Sequence, residues 1–271
     1  MSQSPIRFED GAAYERGMGA WSLPAGAAFL DWLAPAPGLA WLDVGCGSGA
    51  FTELLLRRAG AAEAHGIDPA PAQLAFARDR PGAAGAVFHQ GEAGALPFPA
   101  DRFDAAAMAL VIFFLPDPAR GVAEMARVVR PGGLVAAYAW DMTRGDGGGG
   151  FPFAPIRAAL AECGHDPVSP PSADASAIAA MAALWRGAGL TAVATTGFEV
   201  TRRFADFDAF WAVSTITGSL RASLAGLDPA ALARVKEATS ARVAIAPDGS
   251  LTRTARANAV RGTVPGASTH S

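Results

Sequence analysis

The stretch Leu42-Asp43-Val44-Gly45-Cys46-Gly47-Ser48-Gly49 decides the fold. A short apolar run ends in three glycines at alternate positions. An amphipathic pattern follows, with Phe51, Leu54 and Leu55 on one face and Arg57 and Arg58 in its last turn. That is a strand, a tight turn and a helix start. Glycines put no Cβ between backbone N–H groups and a ligand. The helix N-terminus adds partial positive charge.

Outward from this loop, strands and helices alternate. Residues 39–44 read as a strand that is apolar on both faces, which suits a buried parallel position. Upstream, residues 21–34 read as a helix with Phe29, Leu30 and Leu33 toward the core, ended by Pro35 and Pro37. Downstream, strands are expected at 64–68, 86–90, 103–110 and 134–140, with a turn at Pro131-Gly132-Gly133. Pro71 suits the first turn of a helix running to about residue 79. Asp117 and Pro118 read as N-cap and first residue of another, on which Val122, Met125, Ala126 and Val129 make one apolar face. Five alternations imply an α/β, doubly wound, mostly parallel sheet. Helical patterns at about 153–163 and 173–187, a strand at 190–200, a helical stretch at 204–243 and a last, antiparallel strand at 251–261 complete the pattern.

The chain has 271 residues, 51% of them hydrophobic, enough for one large domain. No apolar run reaches the ~18 residues that span a bilayer. The first residues lack a basic segment followed by an apolar core. The two cysteines, Cys46 and Cys163, give no disulfide framework. A cytoplasmic protein with free thiols is expected. The net charge of −3, with Lys236 the sole lysine, argues against nucleic-acid binding.

Gly45-Cys46-Gly47-Ser48-Gly49-Ala50 also fits the glycine pattern of a dinucleotide loop. Asp68 closes the next strand, where a carboxylate accepts bonds from ribose hydroxyls. Both features suit NAD. Asp43 breaks the tie, because a carboxylate repels a pyrophosphate and attracts a ligand carrying an ammonium and a sulfonium. Three further stretches follow in order: Gly91-Glu92-Ala93-Gly94-Ala95-Leu96-Pro97-Phe98, then Phe103-Asp104, then Arg127-Val128-Val129-Arg130-Pro131-Gly132-Gly133.

With these four motifs, residues 38–140 resemble the class I S-adenosylmethionine (SAM)-dependent methyltransferases, of the small-molecule group that includes ubiquinone/menaquinone-biosynthesis enzymes. The resemblance implies a Rossmann-like methyltransferase fold with a seven-stranded sheet, an antiparallel final strand and a helical cap. It divides the chain into a helical cap or lid (1–34), the SAM-binding core (35–141), the remaining strands with a cap insertion (142–261) and a disordered tail (262–271). Gly45, Gly47 and Gly49 would line the methionine end of SAM, with Cys46 between them and Asp43 beneath the loop near the amino group. Asp68 would hold the ribose and Pro69 would lie by the adenine. Glu92 would meet the adenine amino group, where many relatives have Asp, and the Ala93 N–H a ring nitrogen. Leu110 would lie beside the cofactor.

For the acceptor, Tyr14, Met18, Trp21, Val111, Phe114, Phe207 and Trp211 are the candidates, and no residue is assigned a catalytic role. Tyr14 and Trp21, and the Phe207 and Trp211 cluster, have a plainer reading as packing. For Asp43 the plainer reading is a brace on the glycine turn through its backbone amides. Cys46 reads as a small filler, His65 and His89 as structural, and Asp104 as structural. The apolar run Val111-Ile112-Phe113-Phe114-Leu115-Pro116 favours a hydrophobic or aromatic small-molecule acceptor. The expected cofactor is SAM, leaving as S-adenosylhomocysteine, in a monomer or homodimer with no membrane span. The competing classes are an NAD(P)-dependent oxidoreductase and a catalytically silent SAM-binding module.

Overall fold

The computed structural model describes residues 15–144, 150–216 and 218–266. A π-helical turn (Glu15–Gly19) leads into α1 (Ala20–Leu33). Then come β1 (Ala40–Val44), α2 (Ala50–Arg57), β2 (Glu63–Asp68), α3 (Pro71–Arg78), β3 (Val87–Gln90), β4 (Phe103–Ala109), α4 (Pro118–Val128) and β5 (Val129–Trp140). The second half holds α5 (Ala154–Glu162), α6 (Ile178–Gly187), β6 (Thr191–Phe204), α7 (Phe207–Thr215), α8 (Gly218–Leu224), α9 (Pro229–Ser240) and β7 (Leu251–Thr263).

The seven strands form one sheet in the order β3-β2-β1-β4-β5-β7-β6. The first five are parallel, and β7 pairs antiparallel with both β5 and β6. The expected doubly wound sheet with an antiparallel final strand is therefore present. Strand order reverses between β1 and β4, and ligands of open α/β sheets bind outside the carboxyl ends there. Alanine is a poor strand former in isolation. Ala105, Ala106, Ala107, Ala136, Ala137 and Ala139 are all fully buried in the central strands, so burial overrides propensity.

Register assigns the faces. Asp43 pairs with Ala107, Ala107 with Ala136, and Ala109 with Tyr138. Tyr138 and Trp140 therefore share a face with Asp43. Helix α1 covers that face: the Phe29 ring lies 4.7 Å from Tyr138, and Trp21 meets Trp140 edge-on at 6.4 Å.

Three local readings change. The Pro131-Gly132-Gly133 turn lies within β5, where Phe103 pairs with Val129 and Ala105 already with Leu134. Gly132 at φ +77° bends the strand there without breaking it. The helical stretch 204–243 is three helices, since Asp206 caps Ala209 and Asp228 caps Ala231, each cap starting a new helix. Strand β7 runs to Thr263, two residues past its expected end, because Gly262 and Thr263 pair with Val135 and Leu134.

Candidate functional site

The glycine loop crosses the carboxyl end of β1. Gly45, Gly47 and Gly49 all have φ between +50° and +78°, which side chains disfavour. The loop is held from outside its own sequence, with the N–H groups of Gly45 and Cys46 both donating to the Ile67 carbonyl, at 2.7 and 3.0 Å. A Cβ at Gly45 would stand 2.5 Å from Val111 Cγ2, so the loop and the segment after β4 touch. At Gly47 the same atom would meet nothing closer than Gln73 Oε1 at 3.9 Å. The Gly47 position therefore faces open space.

That space is a cleft of about 530 Å³. Gly45, Gly47, Asp68, Pro69, Glu92, Ala93, Leu110, Val111 and Phe114 all line it. These expected site residues come from four different segments, and the strand ends bring them together. Behind the loop lies a smaller compartment of about 50 Å³. Asp43, Cys46, Ser22 and Leu23 of α1, and Tyr138 line it. Gly45, Gly47, Ala109 and Leu110 border both spaces. Leu110 holds φ +64°, which costs a non-glycine residue about 1–2 kcal/mol. Its N–H donates to the Tyr138 carbonyl at 2.8 Å, which fixes it in that strained pose at the junction.

The carboxylates differ in environment. Asp68 accepts from Gly47 N–H at 3.0 Å on one oxygen and from Ala70 N–H at 2.9 Å on the other. Burial pushes its carboxyl up, against those two amides. Each oxygen keeps a further lone pair toward the cleft. Glu92 is exposed at the far wall. Asp43 has no exposed surface. Its Oδ2 accepts from Thr52 Oγ1 at 2.7 Å, and its Oδ1 has no partner. Burial, opposed chiefly by the Thr52 hydroxyl, raises its pKa from 3.8 to about 7. The amide bracing that a glycine-turn role required is not seen; the Ile67 carbonyl and Asp68 do that work.

An orphaned, buried carboxylate oxygen beside a compartment costs free energy until a donor arrives. It fits a ligand with a cationic end. It does not fit a pyrophosphate.

Other expected residues lie elsewhere. Gly49 starts α2, and an added Cβ would press on Ala77 at 3.1 Å, so it packs helices rather than lining the cleft. Met18 and Trp21 are buried, Trp21 against Trp140 and Phe204, and neither borders the two spaces. Phe207 and Trp211 pack with each other and with Phe210 on α7. They border neither space, since α7 follows β6, the edge strand of the sheet, three strands from β4. Tyr14 lies outside the described residues. His65 and His89 stack on each other, and His65 Nε2 sits 2.7 Å from Glu63, a structural arrangement. Asp104 accepts from Ala40 N–H at 2.7 Å and pairs with Arg130, which is structural as expected.

Sequence reasoning missed Ser22, Leu23, Gln73 and Tyr138. For Tyr138 a signal exists: it sits two residues before the end of a strand neighbouring β4. No helix among the described residues is long and apolar enough to cross a membrane.

Residues 42–137 match the methyltransferase domain family. Over 93 residues the chain is 39% identical to 2-methyl-6-phytyl-1,4-hydroquinone methyltransferase 2, chloroplastic, of Oryza sativa subsp. japonica, covering 34% of this chain and 27% of that one. Over 110 residues it is 36% identical to the ubiquinone/menaquinone biosynthesis C-methyltransferase of Roseobacter denitrificans, covering 39% and 44%. The chain thus spans less than half the length of either relative. Phosphoethanolamine N-methyltransferase 2 of Haemonchus contortus, solved with S-adenosyl-L-methionine, superposes with a TM-score of 0.59 at 16% identity, over 94% of this chain and 56% of that one. At that identity the likeness is one of fold.

Proposed function

We propose that this chain, whose core is a class I SAM-dependent methyltransferase domain, moves a methyl group from SAM to a nucleophile on a small hydrophobic or aromatic molecule. The observation that carries the reading is Asp43, a buried carboxylate with one oxygen open beside the compartment behind the glycine loop. The ammonium of SAM supplies the donor and the charge that this oxygen lacks. An NAD(P) pyrophosphate would meet a like charge there.

SAM supplies an activated methyl on a sulfonium. The chain positions it. Gly45 and Gly47 leave room at the loop, Asp68 takes the ribose hydroxyls, and Glu92 with the Ala93 N–H takes the adenine edge. Cys46 is packing beneath them: its thiol is buried among Leu74, Ala77 and Phe88, and burial raises its pKa. Leu110 separates the methionine compartment from the cleft, and Val111 and Phe114 make the wall beyond it apolar. Holding nucleophile, methyl and sulfur in line supplies ~7–11 kcal/mol of barrier reduction. The charge on sulfur is lost in the reaction, which a dry, apolar wall favours.

The acceptor class is read from that wall and from the hydroquinone named for the rice relative. Methyl-labelled SAM incubated with phenols, hydroquinones and catechols tests it. Label recovered in at least one acceptor supports the reading. Tight S-adenosylhomocysteine binding with transfer to none would favour a catalytically silent SAM-binding protein.

A further inference from the structure

Strand β3 is the shortest of the seven and lies at the edge of the sheet beside β2, with His65 opposite Val87 and Ile67 opposite His89. His65 and Ile67 share a face of β2, so both imidazoles stand on that face. Their rings are parallel within 6°, and His65 Nδ1 lies 2.8 Å from His89 Nε2. The Phe98 ring meets both edge-on, at 5.0 Å from His89 and 6.1 Å from His65. Neither imidazole lines the cleft. Both strands nevertheless carry cleft residues just past the pair: Asp68 is three residues beyond His65, and Glu92 three beyond His89. Gly91 N–H donates to the Asp68 carbonyl at 3.2 Å, and Gln90 Nε2 to the Pro69 carbonyl at 3.3 Å. Phe98 ends the segment that holds Glu92 and Ala93, and Arg127 Nη1 donates to its carbonyl at 2.8 Å.

An N···N contact of 2.8 Å holds one hydrogen. His65 Nε2 sits 2.7 Å from Glu63 Oε1. Arg102 and His65 hold the Glu63 carboxyl down at about 2, so it only accepts. His65 Nε2 therefore carries hydrogen, and its Nδ1 faces His89. In the neutral pair that Nδ1 accepts from His89 Nε2–H. One added proton is accommodated, because a single hydrogen still lies between the rings. A second is not: two N–H groups would point at each other, each on a cation. Burial holds the His89 pKa down, and the charges of His65 and Arg78 lower it further. The charged groups facing the pair are Glu63 on β2, Arg102 just before β4 and Arg78 on α3, whose Nη2 donates to the Phe88 carbonyl at 3.2 Å. Glu63 is the one acid among them, and Arg102 already shares it.

We infer that His65 and His89 are a positioning pair for the cofactor, whose single shared hydrogen locks β3 to β2 and so fixes Glu92 and Ala93 relative to Asp68. The inference rests on the SAM reading of the cleft. When both rings are protonated they part, and the wall from Glu92 to Phe98 moves away from the carboxylate that holds the ribose. The adenosine half of the cofactor then binds weakly. The methionine half, which meets Asp43 behind the glycine loop, is untouched.

5′-Methylthioadenosine tests this, because it carries the adenosine half and lacks the ammonium that Asp43 would sense. Its affinity is measured by calorimetry at pH 7.5 and pH 5.5, with near-ultraviolet circular dichroism verifying the fold. The wild-type protein should lose about tenfold in affinity over that interval. His89→Gln places an amide N–H where Nε2–H stood and takes up no proton. It should match the wild type at pH 7.5 and keep that affinity at pH 5.5. His89→Leu has no donor and should bind about tenfold more weakly at both pH values. A purely structural pair would alter the stability of these variants and leave their affinities alike, which would overturn the inference. Equal pH dependence in the wild type and His89→Gln would also overturn it, as would a wild-type affinity that does not change. Imidazole NMR of the wild type is a readout free of any variant. The two rings should titrate as a coupled pair in two separated steps, and independent single steps would contradict the shared hydrogen. Binding of S-adenosylhomocysteine without 5′-methylthioadenosine would overturn the inference and leave the SAM reading intact. Binding of neither by a folded sample at pH 7.5 would strike the SAM reading instead.

Discussion

Thr52 and Asp43 make a buried hydroxyl–carboxylate pair that satisfies only half of the carboxylate. The hydroxyl donates to Oδ2 at 2.7 Å, and Oδ1 has no partner. The pair links the end of β1 to the first turn of α2, the two elements that the glycine loop joins. It sets both the charge and the pH response of the methionine compartment.

Stability should fall as pH rises from about 4 to about 7. Asp43 ionises at about 7 in the folded chain against 3.8 when unfolded. Between those values the folded state holds the extra proton, so the burial penalty accumulates with pH and is constant above about 7. Asp43→Asn should flatten this slope in urea titrations across that range. Parallel slopes for the two proteins would contradict the assignment.

Removing the hydroxyl should make matters worse for Asp43. Thr52→Val removes the hydroxyl donor and leaves only the Thr52 backbone N–H, so the carboxyl pKa rises further. The change should cost about 1–3 kcal/mol at pH 8 and less at pH 5, where Asp43 is protonated. Chemical denaturation at the two pH values measures it, and equal losses would show that the hydroxyl does not report on the charge.

Asp68→Asn should weaken S-adenosylhomocysteine binding by about 2–3 kcal/mol, or some thirty- to hundred-and-fifty-fold, through loss of charge-assisted bonds to the ribose. The amide keeps one acceptor for the Gly47 or Ala70 N–H, so the loop should stay folded. Unchanged affinity would remove Asp68 from the site.

Gly47→Ala separates loop strain from ligand clash. The new methyl meets no protein atom nearer than 3.9 Å, so the cost to stability is the left-handed φ, about 1–2 kcal/mol. Affinity for S-adenosylhomocysteine should drop about tenfold or more. A variant that binds normally would show that Gly47 does not face the cofactor.

Much of this was legible in the sequence because it is local. The run into Gly45, the placement of Asp68 at a strand end and the Asp117-Pro118 cap each carry their own physical signature. Segment boundaries failed where two signals competed. Pro131-Gly132-Gly133 reads as a turn, yet strand pairing on both sides carries the chain through it. Residues 204–243 read as one helix because their apolar content is continuous, although Gly226 and Asp228-Pro229 mark a break. The acceptor side was not legible. Whether Trp21 lines a pocket or fills a core depends on Trp140 and Phe204, which are distant in sequence and meet it only in the fold.

Calorimetric titration of the purified protein with S-adenosylhomocysteine, with NADH as the parallel titrant, tests the central claim most directly. The account predicts micromolar binding of S-adenosylhomocysteine, tightening as pH rises toward 7 as Asp43 ionises, and no binding of NADH. Binding of NADH in preference to S-adenosylhomocysteine, by a folded sample, would contradict it.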